Sequence, residues 1–209
     1  MALVLPAASF PPLAWFHLAQ TPGAVVCQHE NFVKQSVRNR ILLVESQGAT
    51  FVSLPVHRRN ANSRNVLDIV FTDQVSPDCL LKPLHTNYGS APFFDHYIND
   101  VKGWADVNLK PGGSWWEAAF ASSSLASSWL GSTMPARSNG YLTGSDTDDW
   151  RLKGRWDTVT TPRYPQVFED RLGFVPGRSI LDVILHLGPE AASLPSHHGN
   201  DPIEVHRPS

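Results

Sequence analysis

A polar stretch lies between two apolar runs near the start of the chain and limits how this part can fold. The runs at residues 24–27 (Ala-Val-Val-Cys) and 41–44 (Ile-Leu-Leu-Val) have the length and composition of buried strands. Residues 28–40 between them carry one acid, one His, two Asn, two Gln, one Lys and two Arg. Polar groups are costly to bury unless they are paired. The stretch therefore predicts a binding site or a buried polar network at the end of a strand.

The composition is that of a globular protein with one domain. Of the 209 residues, 42% are hydrophobic and 17% are charged, and 7 Trp with 10 Phe argue against disorder. We predict a domain over residues 1–192 and a frayed C-terminal tail over residues 193–209. A net charge of −2 gives no electrostatic footprint for a nucleic-acid backbone, so we expect no nucleic-acid partner.

The two cysteines, Cys27 and Cys79, provide neither a disulfide framework nor a zinc-binding spacing. A reduced, cytoplasmic protein is therefore expected. No apolar run reaches the roughly 20 residues of a membrane-spanning helix, so we expect a soluble protein. His85 and His96 are too far apart to bind one ion from a single helical turn, and we predict neither a metal nor another cofactor.

Hydrophobic periodicity predicts an α/β fold: a mixed sheet with a β-hairpin, flanked by helices, in a single domain. The apolar runs at residues 3–5, 24–27 and 65–71 are typical of strands. Two further runs, 41–44 and 51–56, flank Gln47-Gly48 and predict the hairpin. Apolar residues at helical spacing indicate helices over residues 10–20, 78–88, 93–101, 115–130 and 180–187.

Basic residues in and after the predicted hairpin suggest anion binding. Arg38 and Arg40 alternate along the first hairpin strand, which would place both guanidinium groups on one face. The polar loop at residues 57–64 holds three more arginines, which either bind a phosphate or are simply solvated. Residues 133–161 have no clear pattern and form either a lid over a substrate or a long connection.

Four ordered blocks of sequence carry a resemblance to a known family. They are residues 10–12 (Phe-Pro-Pro), the stretch from His29 to Arg40 with its Arg-Asn-Arg triplet, residues 87–94 (Asn-Tyr-Gly-Ser-Ala-Pro-Phe-Phe), and a C-terminal block with Gln166, Phe168, Arg171, Gly173 and Asp182. Together they resemble the WbqC-like family of bacterial proteins. The resemblance implies a biosynthetic enzyme of polysaccharide or specialised-metabolite assembly that transfers an acyl or aminoacyl group from a carrier- or nucleotide-linked substrate. Relatives often have Cys directly after the triplet, whereas this chain has Ile41, so no nucleophile is assigned there.

The candidate catalytic residues are Cys27, His29, Glu30 and Lys34. Cys27 and His29 face the same side of an extended chain, where an imidazole could hold a thiolate that accepts an acyl group. The alternative is that Cys27 is a buried structural cysteine. His29 and Glu30 could also act as general acid and base, unless Glu30 pairs with Lys34 or with an arginine of the same stretch.

Eight further residues are candidate substrate contacts that we expect to converge on one cavity. They are Asn31, Gln35, Arg38, Asn39, Arg40, Tyr88, Arg171 and Asp182. The arginines suit a phosphate or carboxylate, which a guanidinium can bind in a bidentate manner. The amides would orient a polar ligand or satisfy backbone groups. Asp182 lies among apolar residues of the last predicted helix, so it could point inward and pair with an arginine such as Arg171.

The sequence leaves three functions open. The first is the acyl- or aminoacyl-transferring enzyme that the resemblance implies. The second is a non-catalytic protein that binds an anionic metabolite or a carrier protein. The third is a lyase or hydrolase with His29 and Glu30 as its acid–base pair. The oligomeric state is open as well.

Overall fold

Seven short strands and six α-helices form the described part of the chain, which is residues 3–142, 149–152, 155–158 and 161–194 of a computed structural model. The strands are β1 (Val4–Pro6), β2 (Val25–Cys27), β3 (Arg40–Glu45), β4 (Gly48–Ser53), β5 (Val56–Arg58), β6 (Ile69–Phe71) and β7 (Ala136–Arg137). The helices are α1 (Leu13–Ala19), α2 (Asp78–Tyr88), α3 (Phe94–Asn108), α4 (Trp115–Trp129), α5 (Glu169–Leu172) and α6 (Ile180–Leu187). This architecture confirms the predicted mixed α/β class in a single domain.

Strands from distant parts of the chain form a parallel sheet in the order β1-β2-β7. On the other side of β1, Val4 makes a parallel bridge to Asp149. Because all of these segments run in one direction, the chain leaves them at the same edge of the sheet. The polar stretch begins at this carboxyl edge, directly after Cys27.

The predicted hairpin is confirmed and is formed by β3 and β4. Their antiparallel register runs from Arg40 opposite Ser53 to Glu45 opposite Gly48. The turn therefore lies one residue earlier than predicted. Gly48 has a φ of 123°, a conformation that glycine adopts far more readily than other residues. β5 and β6 form a second antiparallel pair, so the strands are distributed over three small sheets.

The hydrophobic core packs the helices against these sheets and is rich in aromatic side chains. Trp15, Trp115 and Trp116 are fully buried, and large aromatic side chains of this kind contribute much of the apolar area that a core removes from water. The rings of Phe10 and Trp104 meet edge to face, with centroids 4.8 Å apart. Phe10 thereby anchors the segment that follows β1.

Two buried serines of α4 hold that segment in place. Ser122 Oγ accepts the backbone N–H of Phe10 at 3.0 Å. Ser123 Oγ donates to the carbonyl oxygen of Ala8 at 3.1 Å. The backbone after β1 is thus satisfied by side chains, as buried backbone groups require, and its position at the sheet edge is set by α4.

The helix predictions differ in how well they locate the ends. α2 begins and ends as predicted, and so does α6, where Ser179 Oγ accepts the Leu181 N–H at 3.2 Å as the predicted cap. α3 continues to Asn108, well beyond the predicted end at residue 101. Gly103 does not end this helix, because a glycine in a helix interior costs only about 1 kcal/mol.

Parts of two predicted regions lie outside the described residues. They are 195–209 of the predicted tail, and 143–148, 153–154 and 159–160 of the region between residues 133 and 161. In the described ranges, none of the helices combines the length and the apolar character needed to cross a membrane.

Gly188, directly after α6, is a position where we expect alanine to be costly. Its φ is 56° and its ψ is −135°, and an added Cβ would lie 2.5 Å from the ring of Phe93. We expect Gly188→Ala to lower the free energy of unfolding by about 2–3 kcal/mol through backbone strain and overpacking. Urea unfolding followed by tryptophan fluorescence measures the change.

Gly103→Ala in α3 is the matched control for this prediction. Nothing lies within 4 Å of the Cβ that it would add, so we expect a gain in stability of about 0.5–1 kcal/mol from helix propensity. Similar effects of the two substitutions would contradict the account of Gly188.

Candidate functional site

The carboxyl edge of the parallel sheet gathers polar side chains from four segments of the chain. We call this group the edge cluster; its members are Ser9, Cys27, Glu30, Arg38, Asp149 and Arg151. Cys27 ends β2 and is fully buried, as is Ser9 after β1. The Ser9 N–H donates to the carbonyl oxygen of Arg38 at 3.3 Å, which joins the segment after β1 to the polar stretch. Ligands of α/β proteins bind preferentially at such an edge.

Glu30 and Arg38 form a buried ion pair within this cluster. Arg38 Nη2 donates to Glu30 Oε2, and the two side chains are only 3% and 2% exposed. The same Nη2 donates to the carbonyl oxygen of Arg151 at 3.0 Å. Of the predicted alternatives, Glu30 therefore pairs with an arginine of its own stretch. Loss of either partner would leave a buried charge uncompensated.

Arg151 connects this pair to Cys27. Asp149 accepts two hydrogen bonds from the guanidinium of Arg151, from Nε at 2.8 Å and from Nη2 at 2.6 Å. The remaining Nη1 donates to Cys27 Sγ at 3.5 Å. The group that contacts the thiol is thus Arg151, and His29, which was predicted to hold it, makes no hydrogen bond with a described residue.

Three buried polar atoms of the edge cluster have no hydrogen-bond partner among the described residues. They are Ser9 Oγ, Glu30 Oε1 and Arg38 Nε. Buried polar groups without partners are rare in folded proteins, and each one requires an explanation such as an ordered water or a ligand. Together they offer a hydroxyl, a carboxylate acceptor and a guanidinium donor in segments that are in direct contact.

The two carboxyl groups of the edge cluster, Glu30 and Asp149, have pKa values that are shifted in opposite directions. Burial raises the pKa of Glu30 above its ordinary 4.5; the charges of Arg38 and Arg151 oppose this, as does the Ala7 N–H, although Oε1 makes no regular hydrogen bond. Burial alone would also raise the pKa of Asp149, but hydrogen bonds from Arg151 hold that pKa below its ordinary 3.8. Glu30 is therefore the acid of the cluster best suited to accept and release a proton.

Four residues of the polar stretch lie toward solvent. Asn31, Lys34 and Gln35 are exposed, and His29 is half-buried. None of these side chains forms a hydrogen bond or an ion pair with a described residue. Of the predicted catalytic residues, the structure thus brings together Cys27 and Glu30 and leaves the other two outside the edge cluster.

Arg38 and Arg40 do not share a face, so that prediction is wrong. Arg38 lies in a turn, and β3 begins only at Arg40, so the alternation of a strand does not relate the two. The guanidinium of Arg40 stacks on the ring of Phe51 at 4.1 Å from its centroid. Asn39 Nδ2 donates to Ser53 Oγ at 3.4 Å. Arg40 and Asn39 therefore lie against the hairpin.

A second buried network surrounds Asp182, which is fully buried in α6. The Tyr88 hydroxyl donates to Oδ1 at 2.6 Å and accepts the Val44 N–H at 2.8 Å. The Tyr164 hydroxyl donates to Oδ2, and so does Gln166 Nε2, at 2.8 Å. The network thus ties α2 and α6 to β3 and to the segment before α5.

The predicted pairing of Asp182 with Arg171 is wrong. Arg171 Nη2 donates to the carbonyl oxygen of Ser46 in the hairpin turn at 3.0 Å. Burial and the charge of Asp182 raise the pKa of Tyr88 and Tyr164 well above 10, so both hydroxyls keep the protons that they donate. Neutral donors, not a cation, satisfy this carboxylate, and Tyr88 and Asp182 serve the packing of α6.

Asp149 and Arg151 are members of the edge cluster that the sequence did not reveal. Arg151 contacts Cys27 across 124 residues of chain. It lies in a region rich in Gly, Ser and Asp, where no periodicity indicates burial. An arginine two residues after an aspartate is the only local signal, and it does not distinguish a buried ion pair from a solvated one.

Two open surface depressions of about 540 Å³ each lie away from the edge cluster. One is lined by Tyr164, Arg163 and residues of α5, and the other by the exposed side of α4 together with Arg137. Within the described ranges, no three His, Cys, Asp or Glu side chains are grouped so that they could hold a metal ion.

Comparison with known proteins identifies a family. The profile of the WbqC-like protein family matches residues 7–152. No curated protein and no solved structure matches the chain. The matched range contains the whole edge cluster and ends one residue after Arg151, while the block with Arg171 and Asp182 lies beyond it. Because the match covers more than half of its length, the chain belongs to the WbqC-like protein family.

Proposed function

We propose that this protein is a biosynthetic enzyme that transfers an acyl or aminoacyl group at the edge cluster. Its donor is a carrier- or nucleotide-linked substrate, and its product enters polysaccharide or specialised-metabolite assembly. The observation that carries the proposal is the contact between Arg151 Nη1 and Cys27 Sγ, next to the ion pair of Glu30 and Arg38. Both cysteines of the chain are free thiols, which suits the reducing cytoplasm where we place the protein.

The unpartnered atoms of the cluster match the groups of an aminoacyl donor. Arg38 Nε is a donor that a carbonyl oxygen would satisfy, and Glu30 Oε1 is an acceptor that an amine would satisfy. An N–H donor held near such a carbonyl also stabilises the negative charge that develops on its oxygen during acyl transfer. Substrate binding would therefore give these buried atoms hydrogen-bond partners.

The reaction that this arrangement supports has two steps. The Cys27 sulfur attacks the carbonyl carbon of the donor; a carbon–sulfur bond forms, the bond to the carrier breaks, and the proton of the Cys27 thiol passes to the leaving carrier. An acceptor amine then attacks the thioester, an amide bond forms, and the Cys27 sulfur is released. Glu30 accepts the proton that the amine loses, and this proton then restores the Cys27 thiol; the role suits a carboxyl whose pKa is raised by burial.

The exposed part of the stretch is assigned to substrate binding. Asn31, Lys34 and Gln35 lie on the solvent side of the segment that carries Glu30. We propose that they contact the donor beyond its acyl group, since amides and a lysine suit phosphate and hydroxyl groups. The His29 side chain forms no hydrogen bond or ion pair with a described residue and receives no role in the two steps.

Intact-protein mass spectrometry tests the covalent step. We expect the protein to gain the mass of one acyl group when it is incubated with acyl and aminoacyl thioesters of N-acetylcysteamine. Cys27→Ala should lose this gain, because it removes the attacking sulfur. Peptide mapping should place the group on the peptide that contains Cys27.

Cys79→Ala is the matched control, since Cys79 is the other free thiol and lies at the start of α2. This variant should be acylated like the wild type. Cys27→Ser, checked by circular dichroism, distinguishes a lost nucleophile from a lost fold. Acylation that is equal in the Cys27 and Cys79 variants, or absent from the wild type, would exclude Cys27 as the acceptor.

A non-catalytic binding protein is the second candidate function. The observation that favours it is the mutual neutralisation of Glu30 and Arg38, which a purely structural ion pair would also show. In that case the thioesters would bind without any gain in protein mass. A lyase or hydrolase with His29 and Glu30 gains no support, because His29 forms no hydrogen bond with a described residue.

A further inference from the structure

The positive charge of this chain is concentrated in one region. Residues 30–64 hold six of the 17 Lys and Arg residues but only two of the 19 Asp and Glu residues. Their net charge is thus 6 − 2 = +4, although the whole chain has a net charge of −2. A strongly positive region on a protein that is otherwise acidic creates a local field, and such fields steer oppositely charged partners.

Four of these cations are exposed and have no acidic partner in the described part of the chain. Lys34, Arg58, Arg59 and Arg64 are exposed, and none lies in an ion pair with a described carboxylate. The Phe32 N–H donates to the carbonyl oxygen of Arg64 at 2.7 Å, so the segment with Lys34 runs beside the loop with the arginines. We call these four residues the cationic surface.

An exposed apolar side chain close in sequence to the cationic surface offers a contact to a protein partner. Leu67 follows Arg64 by three residues and is 38% exposed. Protein–protein interfaces combine apolar contacts with a polar rim. Proteins that bind a nucleic-acid backbone normally have a wider basic surface and a strongly positive net charge. This chain has a negative net charge.

The cationic surface lies close to the edge cluster along the chain. Lys34 is exposed, while Glu30 and Arg38, each four residues away, are buried. Four residues of extended chain span at most about 14 Å. The backbone of Lys34, one member of the cationic surface, therefore lies within that distance of both residues of the buried ion pair.

We infer that the cationic surface docks an acidic protein that presents the acyl group to the edge cluster. This inference rests on the proposed function and specifies how the donor is recognised. The positive charges accelerate encounter with an acidic surface, and Leu67 provides an apolar contact once the partner is seated. Binding should weaken as salt is added, because the contributing charges are exposed.

A binding measurement on the full chain tests this inference. The probes are an acidic acyl carrier protein and poly-L-glutamate, each titrated at low and at physiological salt. We expect the triple variant Arg58→Glu, Arg59→Glu, Arg64→Glu to bind both probes about tenfold more weakly or worse than the wild type at low salt, since charge reversal replaces attraction by repulsion. The difference should shrink at physiological salt.

The matched control reverses three lysines elsewhere on the surface: Lys82→Glu, Lys102→Glu and Lys110→Glu. This triple variant has the same change in net charge and should bind the probes nearly as well as the wild type. Equal losses in the two triple variants would overturn the inference, and so would a wild type that binds neither probe. Tighter binding of transfer RNA with the same dependence on Arg58, Arg59 and Arg64 would also overturn it in favour of a nucleic acid.

The outcome is independent of the chemistry at Cys27, because the readout is binding. If the probes bind as expected but no acyl group reaches Cys27, the docking surface stands and the covalent step fails. If small thioesters acylate Cys27 but the acidic probes do not bind, the chemistry stands and the docking surface fails.

Discussion

Replacing Arg38 with methionine should lower the free energy of unfolding by about 3–5 kcal/mol, the usual cost of breaking a buried ion pair from one side. The substitution removes the partner of Glu30, whose side chain is only 3% exposed, and the hydrogen bond to the Arg151 carbonyl oxygen. A typical domain is stable by about 5–15 kcal/mol, so the loss is a large fraction of the total. Urea unfolding measures it through the fluorescence of the buried tryptophans.

The double variant Glu30→Leu, Arg38→Met is the matched control. It removes both charges and fills their space with apolar groups, which is often neutral or stabilising for a buried pair. We expect it to recover most of the stability that Arg38→Met loses. A single variant that loses less than about 1 kcal/mol would show that the pair behaves like an exposed salt bridge.

The stability of the Arg38→Met variant should also depend on pH. Burial raises the pKa of Glu30 above its ordinary 4.5, and loss of Arg38 removes a positive charge that opposes this rise. Below pH 4.5 the carboxyl is protonated in both the folded and the unfolded chain, so its burial costs least there. The deficit relative to the wild type should grow only as the pH rises from the raised folded-state pKa of Glu30 in the wild type to its still higher folded-state pKa in the variant, and should then level off.

Local signals in the sequence predict the elements whose ends are marked by particular residues. α6 was located correctly because Ser179 caps it and Gly188 ends it, and the hairpin was located to within one residue because Gly48 directly follows the turn. β7 could not be predicted, because it has two residues and exists only through its pairing with β2. Short parallel strands depend on distant partners and leave no periodicity of their own.

The edge cluster was predicted only for the members that lie in one continuous stretch. Glu30 and Arg38 are eight residues apart, and their opposite charges in a polar stretch indicated a pair. Arg151 joins them from a distant segment, and the pairing of Val4 with Asp149 is what brings it there. A sequence pattern does not predict such a contact, because the contact depends on which residues pair at the edge of the sheet.

The partner of Asp182 was mispredicted for a different reason. An acid on an apolar helix face was rightly expected to be buried, and a cation was assumed to neutralise it. Tyr88 and Tyr164 satisfy it instead, because a carboxylate that accepts several short hydrogen bonds can be buried without a counter-charge. The charges of the residues in a sequence therefore do not predict which hydrogen-bond donors surround a buried acid.

Replacing Asp182 with alanine should lower the free energy of unfolding by at least about 3 kcal/mol, because three donors lose a charged acceptor and stay buried. These donors are the hydroxyls of Tyr88 and Tyr164 and the amide of Gln166. The side chain is fully buried, so water does not replace the lost carboxylate without opening the packing of α6. Urea unfolding gives the loss, and near-ultraviolet circular dichroism follows the packing of the tyrosines.

A double-mutant cycle with Tyr88→Phe tests whether this network acts as a unit. Tyr88→Phe removes the donor to Asp182 and the acceptor of the Val44 N–H, and should cost about 1–3 kcal/mol. Combined with Asp182→Ala it should cost less than the sum of the two, since both remove the same hydrogen bond. Tyr97→Phe is the matched control, because Tyr97 is buried in α3 but its hydroxyl forms no hydrogen bond with a described residue. Additive effects of the Tyr88 and Asp182 substitutions would mean that the two residues contribute independently, and that the carboxylate does not hold α2 and α6 together.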